Sequence, residues 1–137
     1  MKSASRNTLA LFGAKQPVPR ELRDSISLEL LIALDAAKRG QATDSMCNSL
    51  TVYLTAACMI WAKYKKRGKY DECSLGWNAL LKAALRRTAT LDLTTKEYAQ
   101  LRAAVVSFVD GLRVMEIGVL TYAIKEAHVT LGSAPTP

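Results

Sequence analysis

A chain of 137 residues, half of them hydrophobic, is long enough for one domain with a buried core and too apolar to stay disordered. Nineteen Lys and Arg against twelve Asp and Glu give a net charge of +7, while a single histidine leaves little material for His-based metal or nucleophilic chemistry. The charge is clustered: residues 1–23 carry +4 and 63–87 carry +6, whereas 24–62 sum to −2 and 88–137 to −1.

Residues 1–18 read as a flexible basic arm ending in Pro17-Val18-Pro19, with Leu9, Leu11 and Phe12 as side chains able to dock. Residues 9–12 are too short an apolar run for a signal-peptide core. Cys47, Cys58 and Cys73 form an odd set without a C-x-x-C pair. Cys47 and Cys58 would lie about 16 Å apart along one helix, beyond disulfide reach, so reduced thiols of a cytoplasmic protein are expected.

The first predicted helix begins between Pro19 and Asp24 and runs to Arg39, with Gly40 as terminator. Leu22, Ile26, Leu30, Ala33, Leu34 and Ala37 form its core stripe, and Glu29, Asp35 and Lys38 its solvent side. Thr43 or Asp44 caps a second helix expected to reach Arg67 and to end at Gly68. Met46, Leu50, Tyr53, Leu54, Ala57, Trp61 and Tyr64 share one face. Val52, Cys58, Met59 and Ile60 leave the later half almost without a polar face, which marks a central helix. Residues 45–62 carry no charge and precede a basic run, as in a membrane span with a positive flank. Ser45, Asn48, Ser49, Thr51 and Thr55, and the amphipathic neighbours that need a shared core, favour a buried helix instead, so no membrane partner is expected.

A third helix is predicted from Asp71 to Thr88, with Leu75, Ala79, Leu81, Ala84 and Leu85 packing inward; Thr90-Leu91-Asp92 then turns the chain. Thr94 and Glu97 have capping-box spacing, and Leu93 and Tyr98 that of a hydrophobic staple. From there Tyr98, Leu101, Val105, Phe108, Leu112, Met115, Val119 and Tyr122 alternate three- and four-residue steps. They predict a fourth helix to Leu131, straight or bent near Gly111 or Gly118, reaching about 55 Å if unbroken. Gly132 would cap it, with 132–137 a disordered tail. No strand-type alternation persists. The expected fold is all-α: one four-helix bundle-like domain over 19–131, organised on a long C-terminal helix.

No catalytic constellation, metal-ligand cluster or phosphate loop is legible, so no catalytic residue, metal or cofactor is assigned and no enzymatic activity is expected. His128 lies near the end of the last helix, where a cation is favourable, and Asp110 and Glu116 flank Arg113 as a surface pair would. Lys63, Lys65, Lys66, Arg67 and Lys69 place five cations in seven residues, near Trp61, Tyr70 and Trp77. They form either a solvated helix end or a site for an anionic partner, nucleic acid or an acidic protein face; Arg86 and Arg87 would make a distant second lobe. Val114, Ile117, Thr121 and Ile124 line a second apolar face of the last helix. That face is either central to the fold or an interface with a partner or a second copy. Ala104, Gly111 and Gly118 recur every seven residues, as where another backbone approaches closely.

The run Leu28-Glu29-Leu30-Leu31-Ile32-Ala33-Leu34-Asp35-Ala36-Ala37-Lys38-Arg39-Gly40, followed by the capped helix at Thr43, resembles small bacterial plasmid- and phage-borne helical proteins, some labelled Fis-like regulators. The resemblance covers the first two helices and implies DNA binding. The chain departs from Fis proteins in ending with a long apolar helix instead of a C-terminal helix-turn-helix, and no functional residue carries over. The expected function is that of a non-enzymatic helical interaction protein, an accessory or inhibitor protein of a mobile genetic element, acting through protein–protein contacts or self-association. The alternative is a nucleic-acid-binding regulator using residues 63–69.

Overall fold

The computed structural model describes residues 15–87 and 89–132. Leu9, Leu11 and Phe12 and the tail from residue 133 lie outside them. The described chain is all-α, with α1 at Arg20–Lys38, α2 at Asp44–Lys63, α3 at Arg67–Arg86, α4 at Thr95–Gly111 and α5 at Ile117–Thr130. A 3-10 turn, Leu112–Val114, separates α4 from α5.

Pro19 precedes α1, where a fixed φ and a missing N–H cost nothing. Its inner face buries Ile26, Leu30, Ala33, Leu34, Ala36 and Ala37. The helix ends in a Schellman motif. Gly40 takes φ +68°, its N–H donates to Ala37 O (3.2 Å), and the Gln41 N–H reaches back to Ala36 O (2.8 Å). The Thr43 hydroxyl accepts from the Met46 N–H (3.1 Å) and starts α2. By length and composition α2 could cross a membrane. In the fold it packs against each of the other four helices and contributes Leu50, Leu54, Ala57, Ile60 and Trp61 to the core. It is the central helix.

The expected end of the second helix at Gly68 is corrected: α2 stops at Lys63, and Gly68 already belongs to α3. A second Schellman motif makes the corner, with Lys66 N–H donating to Trp61 O (2.9 Å) and Lys65 N–H to Ala62 O (3.2 Å). Lys65, not a glycine, holds the left-handed position at φ +57°. Glycine is the usual mark of this motif, so the turn was not visible in the sequence.

The expected inward stripe of the third helix is also corrected. Ala79 is buried, with Cys73, Gly76, Leu80 and Ala83, while Leu75, Leu81, Ala84 and Leu85 are exposed. The reason lies in how closely α3 and α4 approach. A Cβ on Gly76 would stand 2.3 Å from the Ala104 Cβ and 2.9 Å from the Gln100 carbonyl oxygen. Two helices this near can interpose only small side chains, so the leucines are displaced outward.

The capping box at the start of α4 is formed: Thr94 N–H donates to Glu97 Oε1 (2.9 Å) and Glu97 N–H to Thr94 Oγ1 (3.1 Å). Arg86 grips the same carboxylate through both terminal nitrogens (2.6 Å each) and donates to Asp92 O (2.9 Å), tying α3 to α4. This bidentate partner holds the Glu97 carboxyl down at about 2.

Of the two forms expected for the C-terminal helix, the straight one does not form: α4 ends at Gly111, one of the two expected bend points, and Gly118 lies inside α5. A Cβ at Gly111 would lie 2.4 Å from Trp61 Cζ2, so here a glycine admits an indole and not a second backbone. Met115 and Glu116 then turn extended (ψ 147° and 140°), and the buried Met115 side chain enters the core. The N–H groups freed by the break find partners elsewhere. Glu116 N–H donates to Tyr64 Oη (3.1 Å) and Ile117 N–H to Gln16 O (2.8 Å). Residues 15–18, assigned by sequence to the end of the arm, therefore lie against the break. Pro17 forms an antiparallel bridge with Glu116, and Val18 is buried.

Candidate interaction surface

Five cations gather where α2 turns into α3. Lys63 closes α2, Lys65 and Lys66 make the corner, and Arg67 and Lys69 open α3, so the charges sit on both arms of a hairpin. Lys63, Lys65, Lys66 and Arg67 are exposed, and among the described residues none of them pairs with a carboxylate. Lys69 differs. Its Nζ lies 5.2 Å from the Trp61 ring centroid, a cation–π contact worth ~0.5–2 kcal/mol that fastens the corner to the core. Asp71 and Glu72 line a groove between α3 and α4, away from α2.

Two clefts flank the outer side of α2 and share Met59. One, about 230 Å³, lies between α2 and α5 and is lined by Met59, Val119, Tyr122 and Lys63. The other, about 290 Å³, lies between α2 and α3 and is lined by Met59, Cys58, Tyr70 and Trp77. Trp77 is fixed in its wall by a relay: its Nε1–H donates to Thr55 Oγ1 (3.0 Å), and that hydroxyl donates to Thr51 O (2.8 Å). Methionine is the adaptable side chain for such a ridge, since it can repack against differing shapes. Sequence reasoning missed these clefts. On a helix that is apolar nearly all round, which residues stay outside depends on where α3 and α5 settle.

The remaining expected site residues are dispersed. Val114, in the 3-10 turn, is 71% exposed, Ile117 is buried, and Ile124 packs on the core. The Thr121 hydroxyl donates to Ile117 O (2.9 Å) and Gly118 O (3.2 Å), within its own helix. The break resets the phase of α5, so the four do not form one interface. Arg86 and Arg87, the expected second lobe, are held by Glu97 and Asp44.

The three cysteine thiols are not activated. Burial raises the Cys47 and Cys58 thiols and takes Cys73 to about 12, so all three remain protonated at neutral pH. Among the described residues no group of three His, Cys, Asp or Glu side chains could hold a metal ion. Compared with family models, with curated proteins and with solved structures, the chain matches none.

Proposed function

We propose that this is a non-enzymatic helical interaction protein that binds an acidic face of a partner protein, as an accessory or inhibitor protein of a mobile genetic element would. The mobile-element setting draws only on the resemblance of residues 28–40 and the helix after them. One observation carries the binding role: Lys63 lines the same cleft as Met59 and Tyr122. A partner side chain filling that cleft meets the cationic corner at once, so apolar anchoring and charge complementarity act together. Affinity capture with the full chain, with and without nuclease, tests it. The partner should survive nuclease and be lost both with Met59→Glu and with Lys63, Lys65, Lys66 and Arg67 all changed to Ser. Retention by both variants would refute the site.

A second reading, nucleic-acid binding, is favoured by the exposed Tyr70 ring beside Lys69, an arrangement suited to stacking over a phosphate-neutralising cluster. On that reading nuclease releases the captured material. The four serine substitutions would then flatten the slope of log affinity against log salt by about 3–4.

A further inference from the structure

The strap before α1 leads to the mouth of a cleft. Gln16 O accepts from the Ile117 N–H (2.8 Å), and Pro17 bridges Glu116 in the antiparallel sense. Followed backwards from Pro17, the chain therefore runs in the direction of 116 to 118, which brings Lys15 toward Gly118. Gly118 and Val119 line the α2–α5 cleft, together with Met59, Ile60 and Lys63 of α2.

The residues that precede Lys15 match this cleft. Residues 7–14 lie outside the described part of the chain; their sequence, between Arg6 and Lys15, carries no charge and includes Leu9, Leu11 and Phe12. At no more than ~3.6 Å per residue, Phe12 can reach ~11 Å from Lys15 and Leu9 ~22 Å. The cleft spans 59–63 on α2 and 118–122 on α5, about 6 Å of helix axis on either side, so it is within that reach. Lys63 is the charged side chain among those lining it, and an uncharged segment meets no repulsion there. Met59 and Tyr122 both favour an aromatic occupant, the thioether against a ring and the phenol edge to face. Phe12 supplies that ring, whereas the other phenylalanine, Phe108, is fully buried in the core. The other openings suit this segment less well. The α3–α4 groove presents Asp71, Glu72 and Lys96, and the α2–α3 cleft presents Ser74 and Asn78.

We infer that residues 9–12 dock in the α2–α5 cleft of their own chain, with the Phe12 ring against Met59 and Tyr122. The docked segment continues the strap that already fastens residues 16–18 to the break. On the reading that the same cleft receives a partner side chain, the segment is a built-in competitor, and the partner binds only when the cleft is empty. A segment that fills the cleft about nine-tenths of the time lowers the partner's apparent affinity about tenfold.

Photo-cross-linking on the full chain tests the docking without any partner. With p-benzoylphenylalanine in place of Phe12, irradiation should join position 12 to Met59 or Tyr122 within one chain, to the same extent at every dilution. Methionine methyl spectra give a second measurement free of the bulky probe. Phe12→Ser should shift the Met59 signal and leave Met46 and the core signal of Met115 in place. Cross-links to the Leu28, Leu31 and Ile32 face of α1, cross-links formed only between chains, or a Met59 signal indifferent to Phe12→Ser would each overturn the docking. Partner capture reports separately, and Phe12→Ser should strengthen it by up to about tenfold. A cross-link to Met59 with capture indifferent to Met59→Glu would leave the docking standing and remove the partner site. Capture lost with Met59→Glu but no cross-link would do the reverse.

Discussion

Replacing Gly111 by Ala sets two effects of opposite sign against each other. In an exposed helix the change would stabilise by about 1 kcal/mol. Here the new Cβ would stand 2.4 Å from Trp61 Cζ2 and 2.7 Å from Cη2, well inside van der Waals contact. Trp61 is fully buried, with Lys69 over its ring and Tyr64 beside it, so the indole has no free end to move. Overpacking of a rigid core costs about 1–3 kcal/mol, and with no relief available the upper part of that range applies. The net expectation is a loss of about 1–2 kcal/mol, a fall in Tm of about 4–8 °C for a domain of this size. Thermal denaturation by circular dichroism measures it. Trp61→Phe removes the two clashing atoms, so the double variant should be more stable than the sum of the single changes by about 1 kcal/mol. Gly68→Ala, where nothing lies within 4 Å, is the control and should not destabilise. A Gly111→Ala protein as stable as the wild type, or a double variant without coupling, would refute this account of the break.

The Glu97 carboxyl is held at about 2, below its ordinary range, so its stabilisation is complete above about pH 4.5 and is lost as pH falls toward 2. Glu97→Gln keeps the capping box but loses the ion pair. It should cost about 1–2 kcal/mol at pH 7, discounted because Arg86 is half exposed, and nothing at pH 2, as urea titrations at both pH values would report. Lys65→Val should destabilise by about 1–2 kcal/mol, because a β-branched residue strains the left-handed corner, whereas Lys65→Gly should be neutral or stabilising by chemical denaturation. Cys73, fully buried and with its thiol raised to about 12, should react with a thiol reagent only at the rate of global unfolding, while half-buried Cys47 and Cys58 react first; mass spectrometry of partially labelled protein orders them.

What could be foreseen was local. Thr94 and Glu97, Thr43, and Gly40 act on backbone groups within a few residues, so their spacing alone announces caps and stops. The core stripe of α1 follows for the same reason, since the period of the helix decides it. What was hidden depends on partners distant in the chain. Gly76 matters because α4 lies against it, and this neighbour puts Leu75, Leu81 and Leu85 outside. Gly111 was legible as one of two candidate bend points, but that the helix breaks there depends on Trp61 and Tyr64 from α2 and on Gln16 from before α1. Lys65 makes its turn without the residue that normally signals one. The basic corner was legible as a run of charges, but the Met59 clefts beside it exist only once three helices have met.

The bridge between Gln16 and Ile117 has a consequence for the order of assembly. It joins segments separated by about a hundred residues, at the far end of the range of sequence separation that slows folding. On a ribosome, α1 to α4 emerge and can pair through short loops while Gln16 still has no counterpart. Val18 then has no complete burial site, and the Ile117 amide that will hold Gln16 does not yet exist. Closure of this strap belongs to the last stage of folding, and the segment before α1 is made ahead of the helices but fastened after them. In amide exchange, the Ile117 N–H should accordingly open more readily than the helical amides of α2 and α4.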